Sequence, residues 1–516
     1  MVSAYARGAR PAPSCGRTSA SMSGLIGRVT GRVGADAGPT DNPASSEPST
    51  PRPPSTLMSS IHASLPTASS VIDSILFRDA FGTPRMREIF SDRALIARCI
   101  EVEVALARAQ AQCGVIPLDA ADAIACHSTI ERIDFEQMRR ETDLVGYPIL
   151  PLVHQLAAMC GDAGRYVHWG ATTQDIMDTA VVLQLRDGLE VLDADITELR
   201  RILAELAIKH RDTPMAGRTH LQHALPVTFG YKVSIWLAMF DRHAQRLAEL
   251  RPRVLVGQFG GAAGTLASLG NSGLDVQKSL MAVLGLGVPA TTWHVARDGL
   301  AETVNLLALV TGSLGKIAFD VMLMASTEFG ELSEPFVSGR GASSTMPQKR
   351  NPISSELMLA AAKAVRQHAG LMIDAMVQDF ERATGPWHAE WVALPESFVL
   401  SAGALHQARF MLAGLVVDAA RMRRNLDLTS GLIMAEAVMM GLAPHIGRQR
   451  AHDAVYAACG AASEQGIALV DALCASSEVA EHLDRAALER LTDPVHYLGL
   501  SALMVDRAVA LSRGAA

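Results

Sequence analysis

The chain lacks the cysteine spacing that would staple or metallate a fold. Its seven cysteines, at 15, 99, 113, 126, 160, 459 and 474, are odd in number and never form a C-x-x-C. That pattern argues against a disulfide framework or a structural zinc site, and for reduced thiols in an intracellular, cytoplasmic protein. It also lacks a concentrated basic patch: the net charge is -7, which excludes a nucleic-acid partner, since phosphate binding needs clustered Lys and Arg. The longest charge-free stretch, 254–274, holds six glycines with Gln258 and Asn271 and is too poor in large apolar groups to span a membrane. Alternating Val/Ile/Thr runs closed by Asn-Gly or Asp-Gly are absent, so strands are not expected to dominate. "VLVGQFGGAAGT" contains no G-x-G-x-x-G in any register, which removes a nicotinamide-dinucleotide fingerprint.

What the chain has is apolar surface. Hydrophobic residues make up 49% and charged residues 19%, enough for a large core and for faces covered by other copies. Its length suggests about three domains. Residues 1–71 stand apart as a disordered tail or a start placed too early, with Met58 as the working start. They are rich in Pro, Ser and Thr and poor in groups whose burial could offset ordering entropy. Five arginines and no acid in the first 35 residues weakly resemble a transit peptide, but no continuous apolar run marks a secretory signal.

Beyond that tail the periodicity is helical. Leu189, Leu192, Ile196, Leu199, Leu203 and Leu206 form one stripe at alternating spacings of three and four, as do Leu300, Val304, Leu307, Thr311, Leu314, Ala318 and Val321. Stripes of this kind belong to packed long helices. Pro226 is expected to open another long helix reaching about Leu250. The fold class is all-α: an N-terminal helical domain over 72–165, a central long-helix bundle over 166–415 and a C-terminal helical domain over 416–516.

Three segments carry groups suited to chemistry. "HWGATTQDIMDTA", His168 to Ala180, places hydroxyls and free amides at a helix start, where a carboxylate can bind. Taken alone, the segment is better explained as an ordinary N-cap, with Asp175 and Asp178 in the first turns favouring the helix dipole. "GRTHLQHALPVTFG" holds His220 and His223. A metal site would need further ligands at supporting spacing, and none is present, so metal is not expected. Proton transfer by one histidine suits an imidazole's ordinary pKa of about 6.5. "GRGASSTMPQKRNP", 339–352, joins mobile glycines to Ser343, Ser344, Lys349, Arg350 and Asn351. A serine hydroxyl is a poor base unless nearby cations and amides stabilise its alkoxide.

In this order along a helical bundle, the three segments resemble the signature segments of the fumarase/aspartase superfamily. "HWGATTQD" with Trp169, and "ERATGPWHAEW" at 381–391, are similar to its branch of bacterial 3-carboxy-cis,cis-muconate cycloisomerases. The resemblance implies Ser343 as catalytic base and His220 as general acid or charge partner. It implies substrate contacts from Lys349, Asn351, Thr172, Thr173, His168, Arg350 and Ser344. It further implies a small di- or tricarboxylate substrate, no cofactor, and a homotetramer whose sites combine segments from three copies. Thr173 stands where Ser is usual, which keeps a hydroxyl. Gln348 stands where many adenylosuccinate lyases carry His, which weakens the alternative of a C–N lyase acting on an N-(1,2-dicarboxyethyl) amine.

Overall fold

The two leucine stripes become the inner faces of the longest helices. The computed structural model describes residues 68–514 apart from Ala383, so the expectations for the tail up to residue 67 lie outside the described residues. The helices that position the site are α1 (Asp92–Gln112), α2 (Thr173–Lys209), α3 (Phe229–Val254), α4 (Asp298–Ala325), α5 (Ile353–Asp374) and α6 (Gly385–Ala413). All six stripe residues of α2 and all seven of α4 are buried. Their apolar members share one cluster with Phe229, Trp236 and Phe240 of α3. Thr311, the polar member, satisfies its hydroxyl on the Leu307 carbonyl at 2.8 Å. A fully buried leucine contributes about 1.5 to 3 kcal/mol, so each stripe supplies much of its helix's stability.

A second cluster packs Ile96, Ile100, Leu106, Leu152 and Leu156 against Ile176, Met177 and Leu183 in the first turns of α2. A third holds Val438 and Leu442 of α7 (Ala435–Ile446) against Val455 of α8 (Arg448–Gln465). The last helix, α9 (Ser501–Gly514), turns back to the bundle. There Val505 and Val509 join the central cluster, and Arg200 donates to the Ser512 carbonyl at 3.0 Å.

One expectation is corrected. Pro226 does not open a helix; it lies in β2 (Gln222–Thr228), which pairs antiparallel with β1 (Pro214–Thr219). It sits opposite Ala216, beside a register shift between Ala216 and Arg218, an irregular place where a strand tolerates the missing N–H. α3 starts three residues later, capped by Thr228, whose hydroxyl accepts the Tyr231 amide at 3.1 Å. The hairpin turn is His220–Leu221, with φ of 50° and 64°. Two-residue hairpin turns favour positive φ at their centre, which usually selects Asn and Gly. Here non-glycine residues carry it, at a cost of about 1 to 2 kcal/mol each.

Chain direction divides the functional segments between two ends of the bundle. α2 starts beside the 257–264 segment that follows α3, since Asp175 accepts from the Gly260 and Gly261 amides at 2.8 and 2.9 Å. It finishes beside the start of α3, where the Gly230 amide donates to the His210 carbonyl at 2.8 Å. With 37 residues, α2 holds its two ends about 55 Å apart.

Among the described residues, α4 is the one single helix long and apolar enough to cross a membrane by length and composition, with a mean hydropathy of 1.7 and half of that window buried in the chain. Its outward face still shows Leu309 and Phe319, each 52% exposed.

Candidate active site

The start of α2 is built around Asp175, whose side chain is fully buried. Besides the two glycine amides, it accepts from the Thr172 amide at 3.0 Å and lies 2.8 Å from His294 Nε2. The carboxylate thus ties the glycine-rich segment to the N-cap and leaves the two threonine hydroxyls at the helix mouth. Thr172 is buried and Thr173 half-buried, and the Arg382 guanidinium donates to the Thr172 hydroxyl.

His168 precedes this turn with a positive φ of 60°. Its Nδ1 lies 2.6 Å from Glu103 of α1, and its backbone amide donates to the same carboxylate at 3.1 Å. Burial alone pulls the imidazole pKa down, but the Glu103 charge and hydrogen bond outweigh it, and the net shift is upward. Gln110 holds the next carbonyl, of Trp169, at 2.6 Å. Gly170 completes the turn at φ 73°; a Cβ there would come within 3.0 Å of Leu269.

The other segments lie at the opposite end. His220 is exposed at the hairpin tip. Below it, Arg218 makes a two-pronged contact with the buried Glu331, at 2.6 and 3.0 Å. Asn425 holds the same carboxylate at 2.8 Å. His223 is the less suited of the two histidines: burial and Arg218 lower its pKa, and its Nδ1 is buried without a partner.

The 339–352 loop is closed by a bridge between Ala342 and Arg350 and by the Asn351 amide on the Gly341 carbonyl at 3.0 Å. Gly341 has a φ of 68°, and an added Cβ would lie 2.6 Å from the Asn351 carbonyl oxygen. Within the loop, Ser343 Oγ accepts the Met346 amide at 3.1 Å and the Thr345 amide at 3.4 Å. Two N–H donors aimed at a hydroxyl oxygen favour its alkoxide. Ser344 and Lys349 are exposed, and the Arg350 guanidinium rests on the Phe336 ring at 4.6 Å.

Both ends of the loop are anchored by residues that sequence reading did not single out. Arg340 donates to Ser354 and Gln407, each at 2.7 Å. Glu334 accepts the Ser354 and Ser355 amides at 3.0 and 2.9 Å at the start of α5. Between these anchors the loop is exposed.

Within one chain, among the described residues, no hydrogen bond or ion pair joins the Thr172–Thr173 turn to His220 or to the Ser343 loop. The sequence-predicted site is therefore split, with His168, Thr172 and Thr173 at one end of α2 and the rest at the other.

The chain has close counterparts among known proteins. Residues 80–366 match the family model described as "Lyase", and residues 431–508 match that described as "Adenylosuccinate lyase C-terminus". The chain is 48% identical to 3-carboxy-cis,cis-muconate cycloisomerase of Pseudomonas aeruginosa over 84% of its length and 96% of that protein. It is also 48% identical to trans-aconitate decarboxylase 1 of Mycosarcoma maydis over 84% of its length and 88% of that protein. The crystal structure of 3-carboxy-cis,cis-muconate lactonizing enzyme from Pseudomonas putida superposes with a TM-score of 0.81 at 45% identity, covering 86% of this chain and all of that one. The chain belongs to the lyase family of the fumarase/aspartase superfamily.

Proposed function

We propose that this protein is a cycloisomerase that closes 3-carboxy-cis,cis-muconate to 4-carboxymuconolactone, with Ser343 as the proton-transfer group. One observation carries the reading. The Ser343 hydroxyl is held by two loop amides on the loop that bears Lys349, in a chain 48% identical to a cycloisomerase of that name. A carboxylate oxygen of the muconate forms a C–O bond to one alkene carbon. The electron pair of the double bond moves toward the neighbouring carbon, which the adjacent carboxylate stabilises as an aci-carboxylate dianion. That carbon then takes the proton from Ser343. The dianion is the costly species, so Lys349 and Asn351 act where its charge develops. Closure of the 339–352 loop, anchored by Arg340 and Glu334, excludes water and strengthens those contacts. Thr172 and Thr173 bind a carboxylate at the α2 N-terminus.

The working unit is a homotetramer with shared sites. The roughly 55 Å along α2 prevents one copy from bringing Thr173 to Ser343, whereas an antiparallel neighbour lays one end against the other. The exposed apolar face of α4, with Ile373 and Val377 in and after α5, is suited to such a neighbour.

The test is incubation with 3-carboxy-cis,cis-muconate, following loss of the diene absorbance and lactone formation. Equal similarity to the trans-aconitate decarboxylase supports a second reading in which the same anion-binding groups take trans-aconitate and release carbon dioxide. Carbon dioxide release from trans-aconitate with no change in the muconate diene would replace the first reading with the second.

A further inference from the structure

One cavity has a lining that includes none of Ser343, His220, Thr172 or Thr173, and its chemistry has the opposite sign. It encloses about 740 Å³ between the N-terminal helices and the starts of α2 and α6, within the size range of small-ligand pockets. Its walls are aromatic and aliphatic: Phe90, Phe135, Met138, Trp387, Trp391 and Leu394. Trp387 and Trp391 stand nearly perpendicular, 76° apart with ring centres at 5.1 Å. Such walls present π-faces from different directions.

Its floor is a buried ion cluster. The Arg297 guanidinium, whose side chain is 1% exposed, binds Asp178 at 2.7 and 2.9 Å and Glu390 at 2.8 and 2.5 Å. Trp387 Nε1 also donates to Asp178, at 3.2 Å. One guanidinium facing two carboxylates leaves an excess negative charge in a dry setting. Burial accordingly pushes the Glu390 carboxyl above the usual carboxylate range. At the rim Asp92 and Asp143 outnumber Arg139, so the lining carries four carboxylates against two guanidiniums. A dicarboxylate would be repelled here. A cation would meet π-faces and offset the buried excess charge.

From this combination we propose that the cavity between the N-terminal helices and the start of α6 is a second binding site, for a small organic cation of the quaternary-ammonium type. Its lining shares no side chain with the anion-binding groups, so cation binding there does not depend on which carboxylate the enzyme converts. It also adjoins those groups through the chain: α6 begins three residues after Arg382, which donates to the Thr172 hydroxyl.

The test uses the whole protein and isothermal titration with choline. It is paired with 3,3-dimethylbutan-1-ol, which replaces the quaternary nitrogen by carbon. Saturable choline binding is expected, with the alcohol weaker by about ten-fold or more. Trp391→Leu removes one π-face, and Glu390→Gln removes one charge while leaving Asp178 on Arg297. Each should weaken choline by about ten-fold. Equal binding of the alcohol and choline, or no saturable choline binding up to about 50 mM, would overturn the proposal. Should a variant fail to fold, the wild-type comparison of the two ligands still decides.

Discussion

Replacing Asp175 by asparagine tests whether the α2 mouth is held by one buried carboxylate. Four donors lie within 3.0 Å of its two oxygens: the Gly260 and Gly261 amides, the Thr172 amide and His294 Nε2. Asparagine keeps one acceptor oxygen and turns an NH2 toward the donors of the other. Two buried donors then lose their acceptor, at about 1 to 3 kcal/mol each, and the pair with His294 loses its charge. Losses within one network do not add, so the expected destabilisation is about 3 to 5 kcal/mol. The glycine-rich segment is released and the threonine hydroxyls lose their fixed positions, so KM should rise as well as stability fall. Asp193→Asn is the control: its carboxylate is 48% exposed and pairs with Arg251 at 3.2 Å, a contact worth about 0 to 1 kcal/mol. The assay is the urea midpoint of each variant with KM on the substrate that turns over. An Asp175→Asn protein whose midpoint and KM match those of Asp193→Asn would refute the reasoning.

Ser343→Ala should remove nearly all turnover while substrate still binds, since the lost proton transfer matters only in the transition state; a dead Ser344→Ala beside an active Ser343→Ala would shift the assignment by one residue. His220→Gln should lose about one to two orders of magnitude in kcat, because a carboxylate leaving group, with a conjugate-acid pKa of about 4, departs unprotonated. Loss as severe as that of Ser343→Ala would point instead to an amine leaving group that needs an acid. Gly341→Ala, which forces a Cβ against the Asn351 carbonyl at 2.6 Å, should lower kcat by about ten-fold or more with a small change in melting temperature; unchanged kcat would show that the loop closes without that turn. The raised pKa of His168 means that its ion pair with Glu103 contributes fully below the unfolded value of about 6.5 and is lost as pH rises through the higher folded value. The melting-temperature gap between wild type and Glu103→Gln should therefore be wider at about pH 6 than at about pH 9, and a gap that widens with pH would contradict this.

How much was legible depended on whether the signal was local. The stripes on α2 and α4 could be read because helical period alone places those residues on one face, and all are buried. The hairpin could not, because its turn is His-Leu rather than Asn-Gly, and Pro226 in front of an apolar run imitates a helix start. The 339–352 loop was visible from its glycines and prolines. Its anchors were not, since Arg340 meets Gln407 across 67 residues and Glu334 caps a helix 20 residues on. Asp175 read as an ordinary first-turn acid; its partners Gly260 and Gly261 lie 85 and 86 residues away. The split of the site between two ends of α2 follows from helix length and chain direction, and spacing along the sequence does not reveal direction in space.

Subunit complementation tests that split most directly. Ser343→Ala removes the proposed proton-transfer group. Thr173→Glu keeps a helix-compatible acid in the first turn but repels the substrate carboxylate. Each variant alone should be inactive. If sites combine the α2 mouth of one copy with the Ser343 loop of another, unfolding an equal mixture and refolding it together should restore about a quarter of wild-type activity, as random assortment gives. A mixture that assembles normally and stays inactive would place the whole site in one chain and contradict the account.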